Sequence, residues 1–243
     1  MKNRALLEMS VETLDAAVAA ARGGADRIEL CENLSVGGVT PGAALMDEAR
    51  ARVELPIFAM IRPRGGDFHY TSAEFDQMQA AVRRAKAARM DGIVLGILDA
   101  RGRVDVARTA ELVRLADPLP ATFHRAFDEL EDLTGGLEEV IRTGVTRLLT
   151  SGGKASAEEG YPEIAGLVRQ ARERIIILPG GGIRPLNLSR IARETRASEF
   201  HSGLSNLLPY PRREHQGFEA GVRELIRVLE EESSNLLPTS RAD

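Results

Sequence analysis

Hydrophobic positions along the chain fall into eight short runs separated by longer stretches with helical periodicity. The runs are RALLEM at 4–9, RIELC at 27–31, PIFAMIR at 56–62, GIVLGIL at 92–98, ATFHR at 121–125, TRLLTS at 146–151, RIIILPG at 174–180 and SEFHS at 198–202. Their starts lie roughly 30 residues apart, the length of one βαβ unit. In 11–24, Leu14, Val18 and Ala21 recur on one helical face, with Ser10 placed as N-cap and Gly23 as C-terminal stop. Thr40–Pro41 reads as an N-cap followed by proline in the first turn. Thr71 with Glu74, and Ser156 with Glu159, fit capping boxes. Asp105 can cap a fourth helix, Pro185 or Asn187 opens a seventh, and 217–232 supplies the eighth.

Strands alternating with helices imply a parallel sheet, closed as a (β/α)8 barrel or open and doubly wound. Eight units within 243 residues favour the TIM barrel, as a single domain over 1–232 with a flexible tail at 233–243. In a closed barrel alternate strand residues point inward, and ligands bind where the strands end. Glu8, Glu29, Arg62, His124, Thr150 and His201 each sit inward near a strand's C-terminal end, so they are expected to converge on one mouth. Buried charges are costly unless paired or used. Each alone could be half of a structural ion pair or a hydrogen-bonded core histidine; six on one face exceed what stability requires.

Composition narrows the function. A net charge of −4 and pI near 5.7 offer no basic face for nucleic acid. A lone cysteine, Cys31, excludes an internal disulfide and points to a reducing, cytoplasmic compartment. No apolar stretch has membrane-span length, and Glu8 interrupts the N-terminal run too early for a signal peptide. His69 and His215 fall outside the strand ends and are expected to be exposed.

Two chemistries remain open. In the first, a small anionic ligand, phosphorylated or carboxylated, is gripped by Arg62 and Arg64 of RPRGGDFHY, by Thr150 and Ser151, and by Gly180, Gly181 and Gly182 after the seventh strand. His201 and Gly203 after the eighth complete that set. Glycine-rich turns after strands seven and eight are the usual barrel phosphate site. His124 then acts as general acid or base, with Glu8 and Glu29 setting its protonation or sharing proton transfer; Arg125 and Asp128 read as a loop ion pair. A divalent cation held by Glu8, Glu29 and His124 is a variant of this reading. Reaction class stays open among lyase, isomerase and hydrolase.

The second chemistry comes from a resemblance. RIELCENLSVGG, IRPRGGDF, TFHRAFD, LLTSG, PGGGI and EFHS, in this order across about 5–203, resemble the CutC family, named for copper homeostasis. The resemblance implies a cytosolic, homo-oligomeric (β/α)8 barrel and copper(I) held by two cysteines, one after the first strand and one on the second. Cys31 matches the second of these. At the first the family's LLEVC reads LLEMS here, so Ser10 stands in for cysteine with Met9 before it. Copper(I) prefers soft sulfur donors, and a serine hydroxyl is a hard one. Alternation also puts Met9 and Cys31 on different faces.

Overall fold

In a computed structural model, residues 4–204 and 215–236 are described. All eight runs form strands: β1 Leu6–Val11, β2 Arg27–Leu30, β3 Ile57–Met60, β4 Gly92–Leu95, β5 Ala121–Phe123, β6 Arg147–Thr150, β7 Ile176–Pro179 and β8 Glu199–Ser202. Eight helices intervene: α1 Leu14–Gly23, α2 Ala43–Arg52, α3 Ser72–Ala87, α4 Val106–Ala116, α5 Leu133–Arg142, α6 Tyr161–Ala171, α7 Pro185–Thr195 and α8 His215–Leu236. The sheet is wholly parallel in the order β7-β6-β5-β4-β3-β2-β1-β8, and its two end strands pack against each other. The Ser202 hydroxyl donates to the carbonyl of Ile183 just beyond β7 (2.7 Å), tying the seam at the mouth. The result is a nearly closed (β/α)8 barrel.

Strand alternation separates two interiors. Leu7, Met9, Ile28, Leu30, Ile57, Phe123 and Phe200 point outward into the large apolar layer beneath the helices. Truncating either of the two fully buried phenylalanines there would cost about 3–5 kcal/mol. Inside the barrel the apolar cluster is small: Cys31, Phe58, Met60 and Val94. Charge fills the remaining interior, since Glu8, Arg27, Glu29 and Glu199 are all buried.

Several helix boundaries differ from those the sequence suggests. Thr13, not Ser10, caps α1, because Ser10 is still extended within β1. Gly24 takes the left-handed turn after α1 (φ 94°); a Cβ on Gly23 would fall 2.6 Å from Val222 of α8, so that glycine serves close helix packing. At α2 the N-cap is Gly42, and Thr40 bonds instead with the backbone of Arg62. The Thr71–Glu74 capping box and the Asp105 cap are present. Ser156 and Glu159 do exchange hydrogen bonds, but within a turn; α6 starts at Tyr161 after Gly160. The eighth helix continues to Leu236, four residues into the expected tail, and 237–243 lie outside the described residues. No helix among the described residues is long and apolar enough to cross a membrane.

Candidate functional site

The strands' C-terminal ends open into a cavity of ≈1110 Å³, lined by Glu29, Met60, Arg62, Phe68, His124, Arg125, Asp128, Lys154, Gly181, Gly182, His201 and Gly203, among others. Its floor is set by register. Glu8 pairs laterally with Arg27 of β2 and with His201 of β8, so all three side chains meet inside the barrel. Arg27 Nε donates to Glu8 Oε2, and Arg27 Nη2 donates to Glu199 (2.6 Å). Arg147 Nε reaches the same Glu199 oxygen at 2.8 Å. Both guanidinium groups stack on Phe58, at 4.9 and 5.4 Å from its centroid. Above Glu8, His201 Nδ1 lies 2.7 Å from Glu8 Oε1, and His201 Nε2 lies 4.0 Å from Glu29 Oε1. A chain of alternating charge therefore climbs from Glu199 through Arg27 and Glu8 to His201 and Glu29, the two members that line the cavity.

The electrostatics follow from this order. Burial opposes ionisation of Glu8, but Arg27 and His201 outweigh it and hold the carboxyl down at about 2. Burial likewise opposes charge on His201, yet Glu29 and Glu8 raise its pKa, favouring imidazolium. Glu29 is raised by burial and by the Glu8 charge, with His201 acting the other way. Its Oε2 atom is buried without a hydrogen-bond partner. The ligand atoms of Glu8, Glu29 and His201 lie within 4.8 Å of one another and could hold a cation. The histidine in that set is His201; His124, expected there, directly follows β5, three strands away from β2 in the sheet. Glu8 is already neutralised by Arg27 and His201, which leaves it little charge to offer a metal.

His124 sits on the other side of the mouth. Its Nδ1 accepts the amide of Ala126 (3.2 Å), and its ring packs 5.0 Å from the Phe68 centroid. Burial, then the Arg62 charge, push its pKa down to about 3, so the ring is neutral. The expectation that Glu8 and Glu29 tune His124 is therefore corrected: they tune His201, because β8 neighbours β1 and β5 does not. Arg62 has only its Nε without a partner to offer an anion. It donates to the carbonyls of Val36, Gly38 and Gly66 and stacks on Phe68, leaving Nε alone without a partner.

Other expected anion ligands are also displaced. Arg64 is bound to Glu74 and Asp67 at the start of α3 and lies outside the cavity. Thr150 and Ser151 donate their hydroxyls to Asp128, which also accepts the amides of Ser151 and Gly153. What faces the cavity is Arg125: Nε is held by Asp128 (2.7 Å) and Nη2 by Ser151 (2.8 Å). Its Nη1 has no partner among the described residues, and a Cβ on Gly181 would approach that atom to 3.3 Å. Gly181 and Gly182 adopt positive φ (96° and 72°), and with Gly203 they line the same wall. Arg125 and Asp128 thus form more than a loop pair; the signal was present in HRAFD, where the arginine follows the last strand residue by two. His69 is exposed as expected, while the side chain of His215 lies outside the described residues.

The sequence profile of the CutC family matches residues 5–206. The chain belongs to the CutC family. It is 47% identical over 199 residues to the human "Copper homeostasis protein cutC homolog", covering 82% of this chain and 73% of that one. A CutC family protein of Agrobacterium fabrum is 43% identical over 236 residues, 92% of this chain and 94% of its own. A solved CutC from Streptococcus agalactiae superposes with a TM-score of 0.78 at 32% identity, covering 82% of this chain and 98% of that one. A thiamine phosphate pyrophosphorylase from Pyrococcus furiosus shares the fold alone (TM-score 0.64, 14% identity).

Copper homeostasis in the family makes the donor set at Cys31 a test. Cys31 is fully buried, its thiol donates to the Val11 carbonyl (3.5 Å), and the Ser10 hydroxyl is 3.9 Å away. Burial and the nearby Glu29 charge push the thiol pKa well above its ordinary value, so the sulfur stays protonated. Met9 lies in the outer apolar layer, on the opposite face from Cys31. One protonated thiol beside a hydroxyl does not fit a copper(I) site.

Proposed function

We propose that this chain is an enzyme acting on a small anionic substrate, phosphorylated or carboxylated, by proton transfer at the barrel mouth. The single observation that carries the reading is Glu29. It is a buried carboxyl facing the cavity with one unpartnered oxygen, backed by the charge chain through His201, Glu8 and Arg27. Stability alone does not call for such an arrangement, since breaking or half-pairing buried charges is costly. A carboxyl whose pKa is raised above its ordinary value by burial is suited to general acid–base work. Arg125 and the glycine turns at 181–182 and 203 supply the anion subsite, combining a guanidinium edge with open backbone. We assign the protein to the cytoplasm, as its cysteine usage and family imply. In this reading a copper phenotype arises from the reaction catalysed, not from metal held at Cys31.

Calorimetric titration with inorganic phosphate and with 2-phosphoglycolate tests the anion subsite. Binding is expected in the wild type and is expected to weaken about tenfold in Arg125→Ala, the loss of one charge-assisted contact. Absence of binding at saturating concentrations of both anions would sink the reading.

A further inference from the structure

Three buried polar atoms around this one cavity lack a partner: Glu29 Oε2, Arg62 Nε and His124 Nε2. Their chemistry is not alike. A neutral imidazole carries one proton, and because His124 Nδ1 accepts the Ala126 amide, that proton sits on Nε2. The two unpartnered nitrogens are therefore both donors, and the unpartnered oxygen belongs to a carboxyl on β2, next to the strand that leads into Arg62 and three strands from β5. Both donors flank the same Phe68 ring, Arg62 Cζ at 4.8 Å and the His124 ring at 5.0 Å from its centroid. The position of His124 is enforced from the neighbouring strand as well. A Cβ at Gly96 would fall 2.5 Å from His124 Cε1 and Nδ1, so only glycine at the end of β4 leaves room for the ring.

Resting on the anion-site reading above, we propose that the mouth is built for enolisation. His124 donates Nε2–H, with the Nε–H of Arg62, to a carbonyl oxygen of the anionic substrate, while Glu29 takes the proton from the adjacent carbon. The C–H bond breaks and its proton goes to the Glu29 carboxylate. The released pair forms a carbon–carbon double bond, and the carbonyl π pair moves onto oxygen, where the two donors hold it as an enolate. Where the adjacent carbon bears a hydroxyl, that hydroxyl's proton passes to the former carbonyl oxygen. Glu29 returns its proton to the former carbonyl carbon, which leaves the carbonyl on the neighbouring carbon, so the step needs no other reactant. The substrate class is a small phosphorylated or carboxylated α-hydroxy ketone or α-hydroxy aldehyde, and the net reaction is an isomerisation. A neutral N–H already aimed at the oxygen meets the developing charge without reorganisation, and a dry site strengthens its bond. The depressed pKa of His124 and the raised pKa of Glu29 agree with these roles.

The test uses 2-phosphoglycolate, whose carboxylate imitates the enolate oxygens, against inorganic phosphate, which lacks them. In histidine-¹⁵N-labelled protein, His124 should remain the neutral Nε2–H form from pH 5 to 9. Its Nε2–H resonance should move with 2-phosphoglycolate and not with phosphate. Calorimetry in two buffers should register uptake of one proton, which Glu29 must accept when it faces the ligand carboxylate, and no uptake in Glu29→Gln. His124→Ala should weaken 2-phosphoglycolate about tenfold with phosphate unchanged, and His124→Gln, which keeps an N–H donor, should recover part of that loss. If His124 titrates between pH 5 and 8, or if 2-phosphoglycolate binds without moving its ring or taking up a proton, enolisation is overturned while the anion subsite stands. If neither anion binds, the subsite itself fails.

Discussion

His124 and His201 are both buried in one barrel mouth, each at the end of a strand, yet their surroundings drive them in opposite directions. His201 lies between Glu8 and Glu29 and is favoured as imidazolium. His124 has a backbone amide on one nitrogen and Arg62 as its charged neighbour, and is held neutral at about 3. Residue type and burial are the same, so the sign of the nearest charge decides. The two rings consequently divide the mouth into a proton-carrying side on β8, β1 and β2 and a side beyond β5 and β3 where the ring stays neutral beside Arg62.

The sharpest way to break this division is Glu8→Gln. It leaves Arg27 with one carboxylate partner and deprives His201 of its nearest anion. A loss of about 3–5 kcal/mol in denaturant unfolding is expected, with the His201 pKa falling on NMR titration. A smaller effect, about 1–3 kcal/mol, is expected for Arg62→Met, which leaves three loop carbonyls without their donor. That substitution should also raise the His124 pKa, because it removes a neighbouring positive charge.

The pH dependence of stability should show the two rings working against each other. For His201 the folded pKa exceeds the unfolded value near 6.5, so its contribution is full below that value and is lost as pH rises through the folded pKa. For His124 the folded pKa is lower, so its contribution is present above 6.5 and is lost as pH falls toward about 3. Glu8 adds stability above the ordinary carboxyl range that disappears toward pH 2. Unfolding free energies of His124→Gln and His201→Gln, measured against wild type from pH 4 to 9, should differ with opposite slopes of up to about 1.4 kcal/mol per pH unit. Slopes of the same sign would undo the comparison.

Cys31 sharpens it further, since it follows Glu29 by two residues toward the mouth yet belongs to the apolar cluster. Its thiol should resist Ellman's reagent in the folded protein. In a bicinchoninate competition, wild type and Cys31→Ala should retain equally little copper(I). Stoichiometric copper lost on the substitution would restore the metal reading. Arg64→Ala should have the smallest effect, leaving phosphate affinity unchanged, because its partners are Glu74 and Asp67 outside the cavity.

Eight apolar runs at a regular spacing were enough to read the barrel, and period-two alternation was enough to bring Glu8, Glu29, Arg62, His124 and His201 to one end. Both follow from local rules: a strand's side chains alternate, and parallel strands need a helix between them. Pairing was not legible. Glu8 and His201 are 193 residues apart and meet only because β8 closes against β1, so the sequence order that set His124 beside the acids was a poor guide. Arg62 and Arg64 look alike in RPRGG, but one enters a web of loop carbonyls and the other a helix cap. The chain by itself determined the strand count, the inward faces and the end where charge collects, because these depend on near neighbours. Tertiary structure alone decided which charge lies beside which ring, and hence which histidine holds a proton, because Coulomb energy depends on distance in space rather than along the chain.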